Sequence, residues 1–275
     1  MNGIIDAHVH VWTSDTRAYP RTPGAAPWNP IHFPPETLFT HTKANHVDRV
    51  VLIQPGGYRF DNSYMLDAIR SHPGVFSGVA IIDSTATAPE DEMRRLRPLG
   101  IRGFRITPGR DPGGWLDTPG MRKMWASAHG LGQAMCPLIN PNALASVDRA
   151  ATRNPETRVV IDHLARVGAS GGFAPEEVKA LCGLARHPNV YVKLSAFYAL
   201  GAKQPPYTDL IPLLHPVFDA FGPRRLMWAS DAPYQAQPPH SYAASIALME
   251  EKLPFLTADD RLWILRKTAE SVFFI

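Results

Sequence analysis

Short apolar runs recur along the chain and alternate with longer stretches that are amphipathic or polar. Eight of these runs are rich in β-branched or aromatic residues: 4–8, 49–54, 75–82, 101–106, 134–139, 158–163, 190–194 and 225–228. Several are continuously apolar, as in residues 50–53, whereas a half-buried strand would alternate apolar and polar positions. The pattern therefore predicts eight parallel β-strands that are covered on both faces.

Helix signals fill the stretches between these runs. Proline or a capping residue precedes a segment of helical character at Asn62, Pro89, Pro175 and Thr208, as is typical of helix starts. A strand followed by a helix, repeated eight times, predicts an α/β fold with a single (β/α)8 TIM barrel, regular or distorted, over residues 1–275. A doubly wound α/β sheet is the alternative.

The amino-acid composition is typical of a globular protein. Of 275 residues, 45% are hydrophobic and 19% charged, which excludes a disordered or fibrous chain. The net charge is +3 without any block of Lys and Arg, so we expect a small anionic ligand and no nucleic acid. The opening residues resemble no signal peptide, no run reaches about 18 apolar residues, and only two cysteines occur. We therefore expect a cytoplasmic protein without membrane association.

Three histidines and one aspartate stand at the ends of predicted strands. His8 and His10 follow the two-residue period of the first strand, so both imidazoles point to one face. His163 ends the sixth strand, and Asp231 follows the eighth. In a barrel, side chains at the carboxyl ends of the strands converge. The four residues therefore predict a catalytic site, which is either a divalent-metal site or a metal-free acid/base cluster.

Several basic residues near the same strand ends are candidates for binding a substrate anion. Arg102 and Arg105 have opposite parity on the fourth strand, so only one can face the barrel mouth. The segment R-G-F-R at 102–105 resembles a family motif, and this resemblance selects Arg105. A guanidinium there could bind a carboxylate through two parallel hydrogen bonds. Arg110 and Arg166 are further candidates for the same anion, although each could equally be a solvated surface residue.

Two other residues complete the predicted substrate-binding set on this rim. Lys193 ends the seventh strand, where its ammonium could approach the ligand or could pair with an acid in the core. Tyr234 is a loop aromatic that suits a ring-shaped substrate, although such residues often only cover the top of a barrel.

The motifs that contain these residues resemble the amidohydrolase superfamily. They are D-A-H-V-H at 6–10, I-D-H-L at 161–164 and W-A-S-D-A-P at 228–233, in the same order as in that superfamily, with an ending T-A-E-S-V-F at 268–273. More narrowly, they are similar to the amidohydrolase 2 branch. That branch includes sugar-acid lactonases, the pyrone-dicarboxylate lactonase and some nonoxidative decarboxylases.

The resemblance also has informative departures. Binuclear members carry a bridging lysine on strand four and a histidine on strand five, where this chain has Arg105 and Asn140. The resemblance therefore implies at most one divalent metal held by His8, His10, His163 and Asp231, with zinc the favoured ion, and the metal could be dispensable. Tyr234 stands where the pyrone-dicarboxylate enzyme has a histidine, and Asn140 is counted among the candidate substrate-binding residues.

The resemblance implies a hydrolase that opens a small carboxylated lactone or related cyclic ester. Asp231 would activate water, the histidine cluster would polarise the carbonyl, and Arg105 would fix an anionic group. A metal-dependent nonoxidative decarboxylase and a non-catalytic ligand-binding barrel are the alternatives. The oligomeric state stays open, with a homodimer as one option.

Overall fold

The computed structural model describes residues 3–109 and 111–275. Eight strands in these ranges form one parallel sheet. Each strand pairs with the next in chain order, so the sheet curves into a TIM barrel and the predicted fold is confirmed. The strands are β1 Ile4–Val9, β2 Val47–Ile53, β3 Phe76–Ala80, β4 Ile101–Ile106, β5 Ala134–Pro137, β6 Val159–Ile161, β7 Val190–Leu194 and β8 Leu226–Trp228.

Helices follow the strands and cover the outside of the barrel. They are α1 Pro35–Ala44, α2 Ser63–Ser71, α3 Pro89–Leu96, α4 Pro119–Ala128, α5 Leu144–Arg153, α6 Pro175–Gly183, α7 Ile211–Phe221, α8 Tyr242–Glu251, α9 Ala258–Leu262 and α10 Thr268–Phe273. A π-helical turn, Trp263–Lys267, joins the last two. Within the described ranges, no helix has both the length and the apolar character needed to cross a bilayer.

The continuous apolar runs of the strands are explained by burial on both faces. Val50 and Leu52 belong to the large core between the strands and the helices, whereas Val51 and Ile53 belong to a smaller cluster inside the barrel. Successive side chains of a strand point to opposite faces, so a strand with apolar surroundings on both sides needs no polar positions.

The inner cluster is closed at the amino ends of the strands by the end of the chain. Ala269, Val272 and Phe273 of α10 pack into the same cluster as Ile5 and Met227. The last helix therefore acts as a plug, and the opposite end of the barrel, where the strands have their carboxyl ends, is the open one.

The barrel is closed between β8 and β1 by few contacts, and these lie at the open end. Val9 and Ala232 form a single parallel bridge. The His10 N–H donates to the Ala232 carbonyl at 2.8 Å, and the Asp231 N–H donates to the His8 carbonyl at 2.9 Å. Residues of the predicted site therefore close the barrel with their own backbones.

Asp6 stabilises the junction between β8 and β1, called the seam below, through hydrogen bonds to both sides of it. Its Oδ1 accepts the backbone N–H groups of His8 at 3.0 Å and of Ser230 at 2.9 Å. Its Oδ2 accepts the Tyr242 hydroxyl at 2.5 Å. Burial raises the pKa of this carboxyl group to about 6, against the effect of those hydrogen bonds. One buried side chain thus joins the first strand, the loop after the last strand and α8.

Candidate active site

His8 and His10 converge at the carboxyl end of β1, as the two-residue period predicts. Their Nε2 atoms are 3.3 Å apart, and both residues are buried. The His10 Nδ1 lies 2.8 Å from the Ile53 carbonyl oxygen, which can only accept a hydrogen bond. His10 therefore carries its proton on Nδ1 when neutral and presents the lone pair of Nε2 to the site.

Asp162 and Lys193 form a buried ion pair beneath these histidines. The Lys193 Nζ is 3.0 Å from the Asp162 Oδ1 and 3.2 Å from the His8 Nδ1, and both charged side chains are fully buried. Burial alone would raise the pKa of Asp162, but Lys193 and His8 lower it well below the usual range. Burial and the Lys193 ammonium lower the pKa of His8 well below its ordinary value, so His8 is neutral.

His163 reaches the site from an unusual backbone. Residues 163–166 all have left-handed conformations, with φ between 53° and 57°. The Nδ1 of His163 lies 2.8 Å from the Ser195 Oγ, which fixes the direction of the ring. Burial lowers the pKa of His163 to about 4, so this imidazole is also neutral at neutral pH.

Asp231 completes the cluster from the loop after β8. Its Oδ1 is 3.4 Å from the His8 Nε2 and 3.3 Å from the His10 Nε2, and its Oδ2 is 3.7 Å from the His163 Nε2. The Tyr198 hydroxyl donates to the same Oδ2 at 2.7 Å. Burial would raise the pKa of Asp231, but the three histidines together lower it below its ordinary value. The carboxylate is therefore ionised.

The cluster has the donor set and spacing of a single metal site. His8, His163 and Asp231 each offer a ligand atom within 4.8 Å of the others, and in the described part of the chain this is the one group of its kind. The buried Asp231 Oδ1 accepts no hydrogen bond from the described residues. Imidazole nitrogens and a carboxylate oxygen with free lone pairs are the ligands that zinc prefers. The residues present thus fit one divalent ion.

A cavity of about 520 Å³ opens above the cluster and is lined by His10, His163 and Asp231. Arg105 lies on its wall and Arg102 does not, which agrees with their opposite parity on β4. The Arg105 Nη1 is 3.4 Å from the His10 Nε2, and its Nε is 3.7 Å from the Asp162 Oδ2. Arg102 instead donates to the Ile275 carbonyl at the plugged end.

Four of the other predicted substrate-binding residues lie within the described part of the chain, in three different places. Arg166 and Tyr234 line the cavity. Asn140 is exposed and accepts a hydrogen bond from the Arg166 Nη1 at 3.2 Å, so it contacts the rim through that arginine. Lys193 lies below the cavity in its pair with Asp162, which is the core-acid arrangement. Arg110 lies outside the described residues.

Two residues with evident roles were not selected from the sequence. One is Asp162, which precedes His163. Lys193 could have indicated it, because a lysine inside an apolar strand carries a buried ammonium, and a buried ammonium needs a buried acid as its partner. Tyr198 lies in a short turn after β7, where no periodicity indicates the direction of a side chain. Only the folded structure brings it to Asp231.

Comparison with known proteins places the whole chain among related enzymes. A family profile described as amidohydrolase matches residues 5–275. The chain is 30% identical over 253 residues to an L-fucono-1,5-lactonase of Burkholderia ambifaria, covering 90% of this chain and 87% of that protein. It is 29% identical over 234 residues to a 4-sulfomuconolactone hydrolase of Rhizobium radiobacter, covering 84% and 76% respectively.

A solved structure shows the same fold over the full length. An amidohydrolase from Burkholderia multivorans, crystallised with bound zinc, superposes with a TM-score of 0.83 and covers 99% of each chain at 23% identity. The likeness of fold therefore covers nearly the whole of both chains.

Proposed function

Because the chain belongs to the amidohydrolase family, we propose that it is a hydrolase that opens a small carboxylated lactone or a related cyclic ester. The observation that carries this proposal is the position of Asp231. It is an ionised carboxylate at the base of a cavity, surrounded by three histidines, with Arg105 on the adjoining wall. The relatives whose names state lactone hydrolysis support the reaction class.

In the proposed reaction Asp231 acts as the general base. Its lowered pKa keeps it in the carboxylate form, and it takes a proton from a water molecule as the water oxygen bonds to the lactone carbonyl carbon. The bond between that carbon and the ring oxygen then breaks. Asp231 returns the proton to the ring oxygen, so the product is a hydroxy acid.

The histidine cluster polarises the carbonyl group by holding a divalent ion or, without an ion, through an N–H group of His8 or His163, since neutral His10 presents a lone pair. His8, His163 and Asp231, with His10 beside them, would be the ligands, and zinc suits their nitrogen and oxygen donors. When bound, such an ion would supply Lewis-acid activation of the carbonyl. We propose at most one ion per chain. Elemental analysis that found two equivalents would contradict this, and full activity after exhaustive chelation would select the metal-free form.

Arg105 and Arg166 supply the positive charge that a carboxylated substrate needs. Both line the cavity, and a guanidinium binds a carboxylate through a planar pair of donors. Tyr234 offers a ring face and a hydroxyl at the cavity entrance. We keep Arg110 as a further candidate for the same anion.

A substrate screen with one variant tests the proposal. Carboxylated lactones and unsaturated or aromatic carboxylic acids are compared while acid release and carbon dioxide release are measured separately. We expect acid release from lactones only, and a loss of at least about 100-fold in Asp231→Asn, as is usual for removal of a general base. Carbon dioxide release would support a decarboxylase instead. Near-normal turnover in folded Asp231→Asn would remove Asp231 from the mechanism.

A further inference from the structure

We propose that the lactone ring and its substituents, apart from the carboxylate, are apolar and unsaturated or alkyl, and that the cavity excludes polyhydroxylated sugar lactones. This inference rests on the proposed lactone hydrolysis and specifies its substrate class. It is drawn from the chemical character of the cavity walls.

One wall of the cavity consists of the loops after β1 and β2. Ala25, Ala26, Pro27 and Trp28 of the first loop face the cavity together with Pro55 of the second. None of these side chains except the Trp28 indole N–H can form a hydrogen bond. This wall therefore offers apolar contact to whatever lies against it.

Trp28 is held firmly in that wall. Its ring stacks on Trp12 with centroids 5.0 Å apart and planes at 20°, and the Arg21 guanidinium carbon lies 4.5 Å from the ring centroid. A Cβ atom on Gly57 would come within 2.7 Å of the indole ring, so a side chain at that position would displace it. A fixed indole suits a flat ligand and leaves little freedom to reach separate hydroxyl groups.

The facing wall comes from the loops after β5, β6 and β7 and is also apolar. Leu138, Ala169, Ala196, Ala199 and Leu200 line it. In a barrel whose strands run in chain order, the loops of β5 and β6 lie across the mouth from those of β1 and β2. Leu138 and Ala169 therefore lie opposite the first wall, and the apolar residues after β7 add to the apolar surface beside them.

Most polar side chains in the lining belong to the catalytic cluster, contact it or are suited to binding the substrate carboxylate. Among the described residues these are His10, Arg105, His163, Arg166, Tyr198, Asp231 and Tyr234. The catalytic cluster uses three, Tyr198 donates to Asp231, and the two arginines are suited to the carboxylate. Among the side chains of the lining, this leaves the Tyr234 hydroxyl and the Trp28 indole N–H for neutral polar groups.

This inventory disfavours a substrate with several ring hydroxyls. Each hydroxyl that enters a site without a partner loses its hydrogen bonds to water. No Ser, Thr, Asn, Gln or Glu side chain within residues 3–109 and 111–275 lines the cavity. A carboxylated lactone without hydroxyl groups has no such hydrogen bonds to lose. It also buries apolar surface against both walls, which favours its binding.

Two lactones that differ only in hydroxyl groups and one double bond test the inference. The first is (5-oxo-2,5-dihydrofuran-2-yl)acetate, and the second is the 1,4-lactone of a hexaric acid, which has the same carbon skeleton, ring size and carboxylate plus three hydroxyls. We expect kcat/KM for the first to exceed that for the second by at least about 100-fold, the discrimination typical of an apolar pocket against an added hydroxyl. Equal or better hydrolysis of the hexaric lactone would overturn the inference.

Binding measurements separate this inference from the proposed function. Both lactones are titrated into wild-type protein and into the Asp231→Asn variant while tryptophan fluorescence is followed. If neither lactone is opened, the proposed hydrolysis fails, but at least tenfold tighter binding of the unsaturated compound would still support the apolar site. Equal or tighter binding of the hexaric lactone, or binding of neither compound, would overturn it.

A pair of matched substitutions tests the wall directly. Ala199→Ser places one hydroxyl in the cavity, and Ala86→Ser makes the same change at an exposed position outside it. We expect Ala199→Ser to raise kcat/KM for the hexaric lactone relative to the unsaturated one, and Ala86→Ser to leave the ratio unchanged. An unchanged ratio in both variants would contradict a role of this wall in selecting the substrate.

Discussion

At the scale of single residues, the hydrogen bond from Tyr198 to Asp231 orients the proposed general base. The Tyr198 hydroxyl donates to the carboxylate at 2.7 Å, and burial together with the negative charge of Asp231 raises the pKa of this phenol. Tyr198 therefore stays protonated and remains a hydrogen-bond donor. Its contribution is to orient the carboxylate so that the other oxygen, Oδ1, faces His8 and His10.

Replacing Tyr198 by Phe should lower kcat about 10-fold to 100-fold, which corresponds to the ~1.5 to 3 kcal/mol of a hydrogen bond to a charged group. KM should change less, because the ring that lines the cavity remains. Steady-state kinetics with the preferred lactone measures both constants. Tyr207→Phe is the matched control, since Tyr207 is a buried tyrosine that contacts Gln235 and His240. Equal effects of the two variants would argue against a specific role of Tyr198.

Replacing Arg105 by Lys should weaken use of a carboxylated lactone by ~1.5 to 3 kcal/mol, the range for a charge-assisted hydrogen bond. Lysine keeps the charge but loses the planar pair of donors. The measurement compares kcat/KM for the acid and for its methyl ester, with wild-type protein as the reference. If the losses on acid and ester were the same, Arg105 would not read the carboxylate.

At this scale the sequence was informative where a regular strand fixes the direction of a side chain. The period of β1 correctly brought His8 and His10 together. The period of β4 showed only that Arg102 and Arg105 point to opposite faces, and the resemblance selected Arg105, which lines the cavity. For Lys193 the sequence left two directions open, because a lysine inside a barrel is equally compatible with a ligand and with a buried acid. Tyr198 follows a left-handed residue, Ala196, for which the sequence contains no signal.

At the scale of elements, the left-handed turn at residues 163–166 is the least regular part of the barrel. For residues other than glycine, the left-handed conformation destabilises the folded state by roughly 1–2 kcal/mol per residue. The turn nevertheless brings His163 and Arg166 to the same cavity from positions three apart. No glycine or asparagine marks it, and for that reason the sequence predicted a strand end at His163 and nothing of the turn.

A glycine at Ala165 should therefore cost little stability. The relief of left-handed strain (~1–2 kcal/mol) offsets the loss of a buried methyl group and the added freedom of the unfolded chain. Ala150→Gly, at a buried position inside α5, should instead destabilise by about 1.5–2 kcal/mol, since helix propensity and methyl burial are both lost. Urea unfolding of the two variants gives the comparison. Equal losses would show that the turn is not strained.

At the scale of the whole molecule, the eight strands were predictable because each contains a short apolar run and several are continuously apolar and buried on both faces. The role of the chain's last helix was not predictable in the same way. The ending 268–273 was identified only through a resemblance of motif, whereas the structure shows Phe273 inside the barrel, with the Lys193 Nζ 5.6 Å from the centroid of its ring. Contacts between residues so distant in sequence leave no local pattern.

Replacing Phe273 by Ala should lower the free energy of unfolding by about 3–5 kcal/mol, as expected for a large aromatic in a packed core. Phe274→Ala is the control, because this neighbouring ring is only partly buried and should cost much less. Denaturant unfolding measures both changes, with kcat recorded under folding conditions. A small effect at Phe273 would mean that the plug does not hold the inner core together.

The seam between β8 and β1 sets the order in which the molecule can become active. Asp6 bonds to Ser230, 224 residues later in the chain, and to Tyr242, 236 residues later. During synthesis, the first strand and its two histidines emerge long before their partner strand exists, and domains are made from the amino terminus onward. Closing contacts of such long sequence separation also form slowly. Asp231 can meet His8 and His10 only when β8 docks, so the proposed site is assembled in the same step that completes the barrel.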